Sequence, residues 1–263
     1  MTFTQTINSI IKEVMKFGFD TEQRVKNLRS KLTFAFLKSV KSEQVLQEDV
    51  RIQLTKTFDK LVPKASPSLD GYTLQHLKPK LQLELEKRII ASANLIKWRR
   101  EESIAKVLKD FEGWMTSVPK GGSKSPKIKD GGEKFKALTQ QEKFFQRRIA
   151  IDQTAKLTQT VRELVAIDKG AIAGIWRSKG EYEKNYKYRP DHLERARRIY
   201  IVRDSWADKA GFIKPVHGYM DDITKPAEEV YCRCSYIYLY TLRDIPVEYL
   251  TAKGKKELQS PLV

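Results

Sequence analysis

From Leu81 onward the apolar side chains Leu85, Ile89, Ala93, Ile96, Ile104, Val107, Phe111 and Trp114 recur at helical intervals, a run of roughly nine turns. No other feature of the sequence constrains the fold as strongly. A helix with one apolar stripe of that length must be covered along it by other helices. The preceding helix, folded back as an antiparallel partner, is the expected cover. Arg99-Arg100-Glu101-Glu102 is expected on the wet face. The stripe is read as core, not as a cofactor site.

Upstream, Ile7, Ile10, Ile11, Val14 and Met15 share one side of a predicted helix over residues 1–20, ended by Gly18. A helical pattern then continues from Thr21 to Leu61 through Phe36, Leu37, Val40, Leu46, Val50, Leu54 and Phe58. Pro63, Pro67 and Gly71 break it. Downstream, the segment 117–134 carries four glycines, two prolines and four lysines between Ser117 and Glu133, a basic flexible linker with nothing to bury. The expected organisation is a helical N-terminal region over 1–116, this linker, an α+β domain over 135–245, and a basic tail over 246–263 that frays.

In the second half, Phe145, Ile149, Leu157, Val161 and Leu164 line a predicted helix from Phe135 to Lys169, with Gly170 as its stop. Ala171 to Trp176 suits a short buried strand, and Arg177 to Tyr188 a loop. Arg189 to Ile201 suits a helix with Pro190 in its first turn, and Ser205 to Thr224 a loop. Val230 to Thr241 alternates, with Val230, Cys232, Cys234, Tyr236, Tyr238 and Tyr240 on one face of a predicted strand. The fold class is therefore α+β, predominantly helical.

Both cysteines and two of the three histidines fall between Trp176 and Cys234. His192, His217, Cys232 and Cys234 make four N or S donors, the number a structural zinc uses. Their C-x-C spacing differs from the usual C-x₂₋₄-C, so both thiols reach one ion only if the strand bends. The alternative is that the cysteines are small buried packing residues. In a regular strand residues i and i+2 lie roughly 6.5–7 Å apart, a poor match to disulfide geometry, so reduced thiols are expected. A cysteine nucleophile would need His192 or His217 as base, and a metal-dependent nuclease would draw on Asp221-Asp222 beside His217. Arg189 and Arg233 are expected to tie loops to the strand, with Asp152, Asp191, Glu228 or Glu229 as anchors. His76 is read as a packing or surface residue.

Lys and Arg outnumber Asp and Glu by 50 to 33, a net charge of +17. That field favours acidic protein surfaces or nucleic-acid phosphates. No run of about 18 apolar residues is present, so no membrane span is expected.

Four phrases in the second half, in order, resemble the Mu F-like head morphogenesis proteins of tailed bacteriophages. They are Ala150-Ile151-Asp152-Gln153-Thr154 with Lys156-Leu157, Gly170 to Trp176, Arg189-Pro190-Asp191-His192, and Glu229-Val230-Tyr231-Cys232-Arg233-Cys234. The likeness covers residues 135–241. The chain departs from the family pattern at Ile151, at Tyr231 and over Lys184 to Tyr188. On this resemblance Asp152, Gln153, Trp176, Arg189, His192, Cys232, Arg233 and Cys234 are the motif residues. It implies a non-enzymatic minor capsid protein without a small-molecule substrate. Its expected place is the host cytoplasm during assembly and then the virion. The partners implied are the portal and major capsid proteins, with non-specific contact to packaged DNA. A metal-dependent nuclease or hydrolase at His192, His217, Cys232 and Cys234, or a non-specific nucleic-acid-binding module, is the rival reading.

Overall fold

The computed structural model describes residues 3–18, 21–62, 71–117, 128–178 and 189–259. The order is α1 (Phe3–Phe17), α2 (Glu22–Ser39), α3 (Glu43–Leu61), α4 (Gly71–Ser117), α5 (Ile128–Asp168), β1 (Ala173–Arg177), α6 (Pro190–Glu194), β2 (Ile199–Ile201), α7 (Trp206–Lys209), β3 (Ser235–Leu239) and α8 (Ala252–Gln259). The fold is α+β and predominantly helical, as expected. The compact units do not follow the expected boundaries, however. One unit comprises Met1–Gln53 with Ile89–Ile151, the other Leu54–Arg88 with Asp152–Val263. Residues 118–127 of the expected linker lie outside the described residues, and 128–134 are already helical within α5.

In the first unit, Ile7, Ile10, Ile11 and Val14 of α1 pack with Leu28, Leu32, Ala35 and Phe36 of α2 and with Val107 and Phe111 of α4. The apolar stripe is thus covered here by two short helices, in place of a single antiparallel partner. The side chains of Met15 and Trp114 lie outside the described residues. Gly18 takes φ 71° and ends α1. The expected helix from Thr21 to Leu61 is two helices. Val40 turns extended, and Ser42 Oγ accepts from the Val45 N–H at 3.3 Å, capping α3.

Arg100 is also not where the pattern put it. It is 2% exposed. Its Nη2 donates to the Lys41 carbonyl at 2.6 Å, and its Nε lies 3.8 Å from Oε1 of Glu142, itself 2% exposed. Ser103 Oγ and Gln146 Nε2 donate to the same carboxylate at 2.5 and 3.0 Å. A charge buried with this many partners is tolerated where a lone one is not.

The second unit holds a three-stranded antiparallel sheet in the order β2-β1-β3. Alternation sorts its side chains onto two faces. Ala173, Ile199, Ile201 and Leu239 join one core with Ala207, Ile213 and Leu250. Trp176, Tyr200 and Tyr236 join another with Met220, Cys232 and Cys234. Gly174 lies under the Tyr236 ring, where an added Cβ would stand 3.0 Å from Cδ1. At the end of α5, Gly170 (φ 82°) and the bond from the Ala171 N–H to the Ala166 carbonyl form the turn into β1.

Three expectations are corrected in this unit. The helix over 189–201 is only the single turn α6. Arg197 enters the left-handed region at φ 66°, and β2 follows. The strand over 230–241 is regular only from Ser235, because Tyr231 takes φ 65°. The tail is docked, with Thr251 Oγ1 accepting from the Gly254 N–H at 3.1 Å to cap α8. Gly254 is buried directly against the Phe212 carbonyl, and Lys253 Nζ donates to the Ala210 carbonyl at 2.8 Å.

Candidate metal centre

His192 lies on α6, and Cys232 and Cys234 lie in the turn that leads into β3. Pro190 at the start of α6 presets its backbone, and the N–H of His192 bonds to the Arg189 carbonyl. On the other side, the Cys232 N–H bonds to the Glu229 carbonyl, and Ala227 and Tyr231 adopt φ 64° and 65°. This turn bends the chain and lets both thiols meet one imidazole. His192 Nδ1 stands 3.5 Å from Cys232 Sγ and 3.6 Å from Cys234 Sγ. The three residues are 3%, 6% and 5% exposed.

The second ring nitrogen faces carboxylates without a hydrogen bond to them. Nε2 points to Glu229 and Asp191, 3.5 and 3.8 Å from their carboxylate oxygens. A carboxylate behind the second nitrogen orients a ligating histidine and raises its basicity. Arg189 pairs with Glu229 and donates from Nη2 to the Val230 carbonyl at 3.3 Å. Of the expected anchors, Glu229 therefore serves Arg189. The ring face meets Trp176 edge-on at 5.4 Å, and Trp176 meets Tyr236 at 5.6 Å. Arg195 lies 5.3 Å from the Trp176 ring and donates to the Thr224 carbonyl at 3.3 Å.

Cys232 is held below the usual thiol range. The hydrogen bond from the Cys234 thiol is the largest cause. The backbone N–H groups of Cys234 and Ala227 and the nearby His192 add to it, against the opposing effect of burial. The Ala227 N–H reaches Sγ at 3.2 Å. Donors converging on one sulfur favour thiolate, the form that binds metal. The cluster is thus a buried N, S, S donor set that could hold a metal ion. Without one, the same contacts are thiol–imidazole hydrogen bonds.

His217, expected as a fourth donor, is not part of the cluster. Its Nδ1 shares a 2.6 Å hydrogen bond with the Tyr249 hydroxyl. Asp221 and Asp222, the expected nuclease carboxylates, pair with Arg203 at 2.8 and 2.5 Å. Arg233 is exposed and lines a neighbouring cavity. Asp152 is half-buried and Gln153 buried, both on α5, and neither belongs to the donor set. His76 is exposed on α4. The sequence reasoning missed Tyr200 and Arg195 around Trp176. The only local signal was the i, i+4 spacing of Asp191 and Arg195, which pair at 3.1 Å.

Comparison with family models, with curated proteins and with solved structures finds no match.

Proposed function

We propose that the chain is a structural minor head protein of a tailed bacteriophage, acting in capsid assembly through the portal or major capsid protein. One observation carries this reading. Trp176, His192, Cys232 and Cys234, scattered over three of the four resembling phrases, converge on one buried core, and the exposed Arg189 ties its rim through Glu229 and the Val230 carbonyl. In this reading the centre sets the shape of the second unit, and charge and surface do the binding. A net charge of +17 suits acidic protein faces, and packaged DNA through its phosphates without sequence reading.

We further infer that the donor set holds zinc. A tetrahedral zinc with Zn–S of about 2.3 Å and Zn–N of about 2.0–2.1 Å has an N···S edge of roughly 3.6 Å. The two distances here are 3.5 and 3.6 Å. Cys232, Cys234 and His192 Nδ1 would be three of the four ligands a tetrahedral zinc takes, and Glu229 the carboxylate behind the ring. The metal would supply a rigid link between α6 and the turn before β3.

The rival reading is a metal-dependent nuclease or hydrolase at the same residues. Burial of all three donors favours the structural role, because a reacting centre must admit substrate. The test is co-expression of the tagged chain with portal and major capsid proteins, followed by purification of heads. Retention in heads or on portal is the expected outcome. Binding to neither, together with DNA or ester cleavage lost in a folded His192→Ala variant, would replace this reading with the enzyme.

A further inference from the structure

The wet face of α4 carries a second, narrower stripe. Leu83, Lys87, Ile90, Asn94, Trp98, Glu101 and Ala105 follow one another at steps of three or four residues, so they share one side of the helix. All of them are exposed. Leu83, Ile90 and Trp98 are 56%, 59% and 63% exposed. Exposed apolar residues scattered singly need no explanation. Three on one line, a tryptophan among them, lie here on the side opposite the buried Leu81, Leu85 and Ile96.

The order of the stripe points to what covers it. Reversed about Asn94, the stripe meets its own complement. Leu83 falls opposite Ala105, Lys87 opposite Glu101, Ile90 opposite Trp98, and Asn94 opposite itself. Apolar meets apolar, cation meets anion, and an amide that both donates and accepts meets an amide. This is the symmetry of two identical helices packed antiparallel about a two-fold axis, where residue i contacts j and j contacts i. A parallel pair would set Lys87 against Lys87 and Glu101 against Glu101, which like charge disfavours. A single Asn within such a seam fixes its register. Lys87 donates to Glu84 of its own helix at 2.6 Å, and its side chain is 58% exposed. An exposed pair of this kind contributes little, and an ammonium has further donors for a second carboxylate.

We propose that this face of α4 is a self-association surface, on which a second copy of the chain docks antiparallel with Asn94 at the two-fold axis. The inference goes beyond the capsid reading and does not depend on it. The net charge of +17 opposes the approach of two copies. The dimer is therefore expected to be weak, in the micromolar range, at about 0.15 M salt, where repulsion is screened beyond about 8 Å.

Sedimentation equilibrium of the full chain across that range tests it, with circular dichroism checking that each variant keeps the wild-type fold. W98K is expected to weaken the dimer about thirty-fold or more. K87E and E101K each set like charges opposite one another and should each weaken it about ten-fold. K87E/E101K should return to within about three-fold of the wild type. Direction is read by cross-linking with a short bismaleimide, since Cys232 and Cys234 are buried. N94C should join to its own copy. A105C, about 33 Å from its own copy along an antiparallel pair, should not. Joining at A105C, or none at N94C, would overturn the antiparallel docking. A monomer at every concentration, or a dimer that K87E and E101K leave unchanged, would overturn the surface itself. A monomeric chain whose W98K variant is lost from heads would give the face to a capsid partner and end the self-pairing proposal.

Discussion

His192 meets two sulfurs through Nδ1, while Nε2 faces Glu229 and Asp191 without a hydrogen bond. Replacing it by alanine opens a void beside Trp176 and removes the imidazole shared by both thiols. His192→Ala is therefore expected to cost about 2–4 kcal/mol in urea unfolding. The proposed zinc, expected as one per chain when the wild type is measured by native mass spectrometry, should be absent from this variant. His217→Ala should leave that zinc in place, because its partner is Tyr249. Zinc lost in the His217 variant would break the three-donor assignment. The difference between the two histidines was not legible in the sequence. His217 is the nearer of the two in the chain, 15 residues before Cys232 against 40 for His192, and a side-chain bond to Tyr249 leaves no trace in local spacing. The convergence of His192, Cys232 and Cys234 was legible as composition. The bend that permits it was not, since a single left-handed residue at Tyr231 is invisible to an alternating pattern.

At the scale of elements, apolar periodicity located the helical stretches but joined α2 to α3, and it did not locate every surface. Arg99 to Glu102 reads as a wet face, yet Arg100 is buried on Glu142. The partner lies on another helix, so the pattern of α4 alone could not reveal it. Removing one partner leaves a buried charge alone. Glu142→Ala is expected to destabilise by about 3–5 kcal/mol in chemical denaturation, and Arg100→Met with Glu142→Leu by far less. Equal losses in the single and double variants would mean that the pair is not coupled. The docking of α8 rests on Gly254, whose place against the Phe212 carbonyl admits no side chain. Gly254→Ala should cost about 1–3 kcal/mol by the same measurement. Sequence reasoning saw a charged, frayed tail because lysine count outweighs one glycine. The short strand β2 was missed for a related reason, since Arg197 divides what reads as one helical run.

For the molecule as a whole, the donor set joins positions 40 residues apart in the chain. A metal bridge across such a loop restricts the unfolded chain by about 4 kcal/mol in the cross-link picture. For a chain of this size that corresponds to a Tm shift of about 10 °C. Chelation should lower the Tm of the wild-type chain by this order and leave His192→Ala unmoved. An unchanged wild-type Tm would mean that thiol–imidazole bonds alone hold the centre. The sheet order adds a consequence for how the chain is made. During synthesis β1 can pair with β2 once residue 201 has left the ribosome. Its other edge, against β3, must wait until residue 239. In that interval Trp176 has only part of its aromatic cover, and the incomplete sheet is the form most exposed to mispairing with a neighbouring nascent chain.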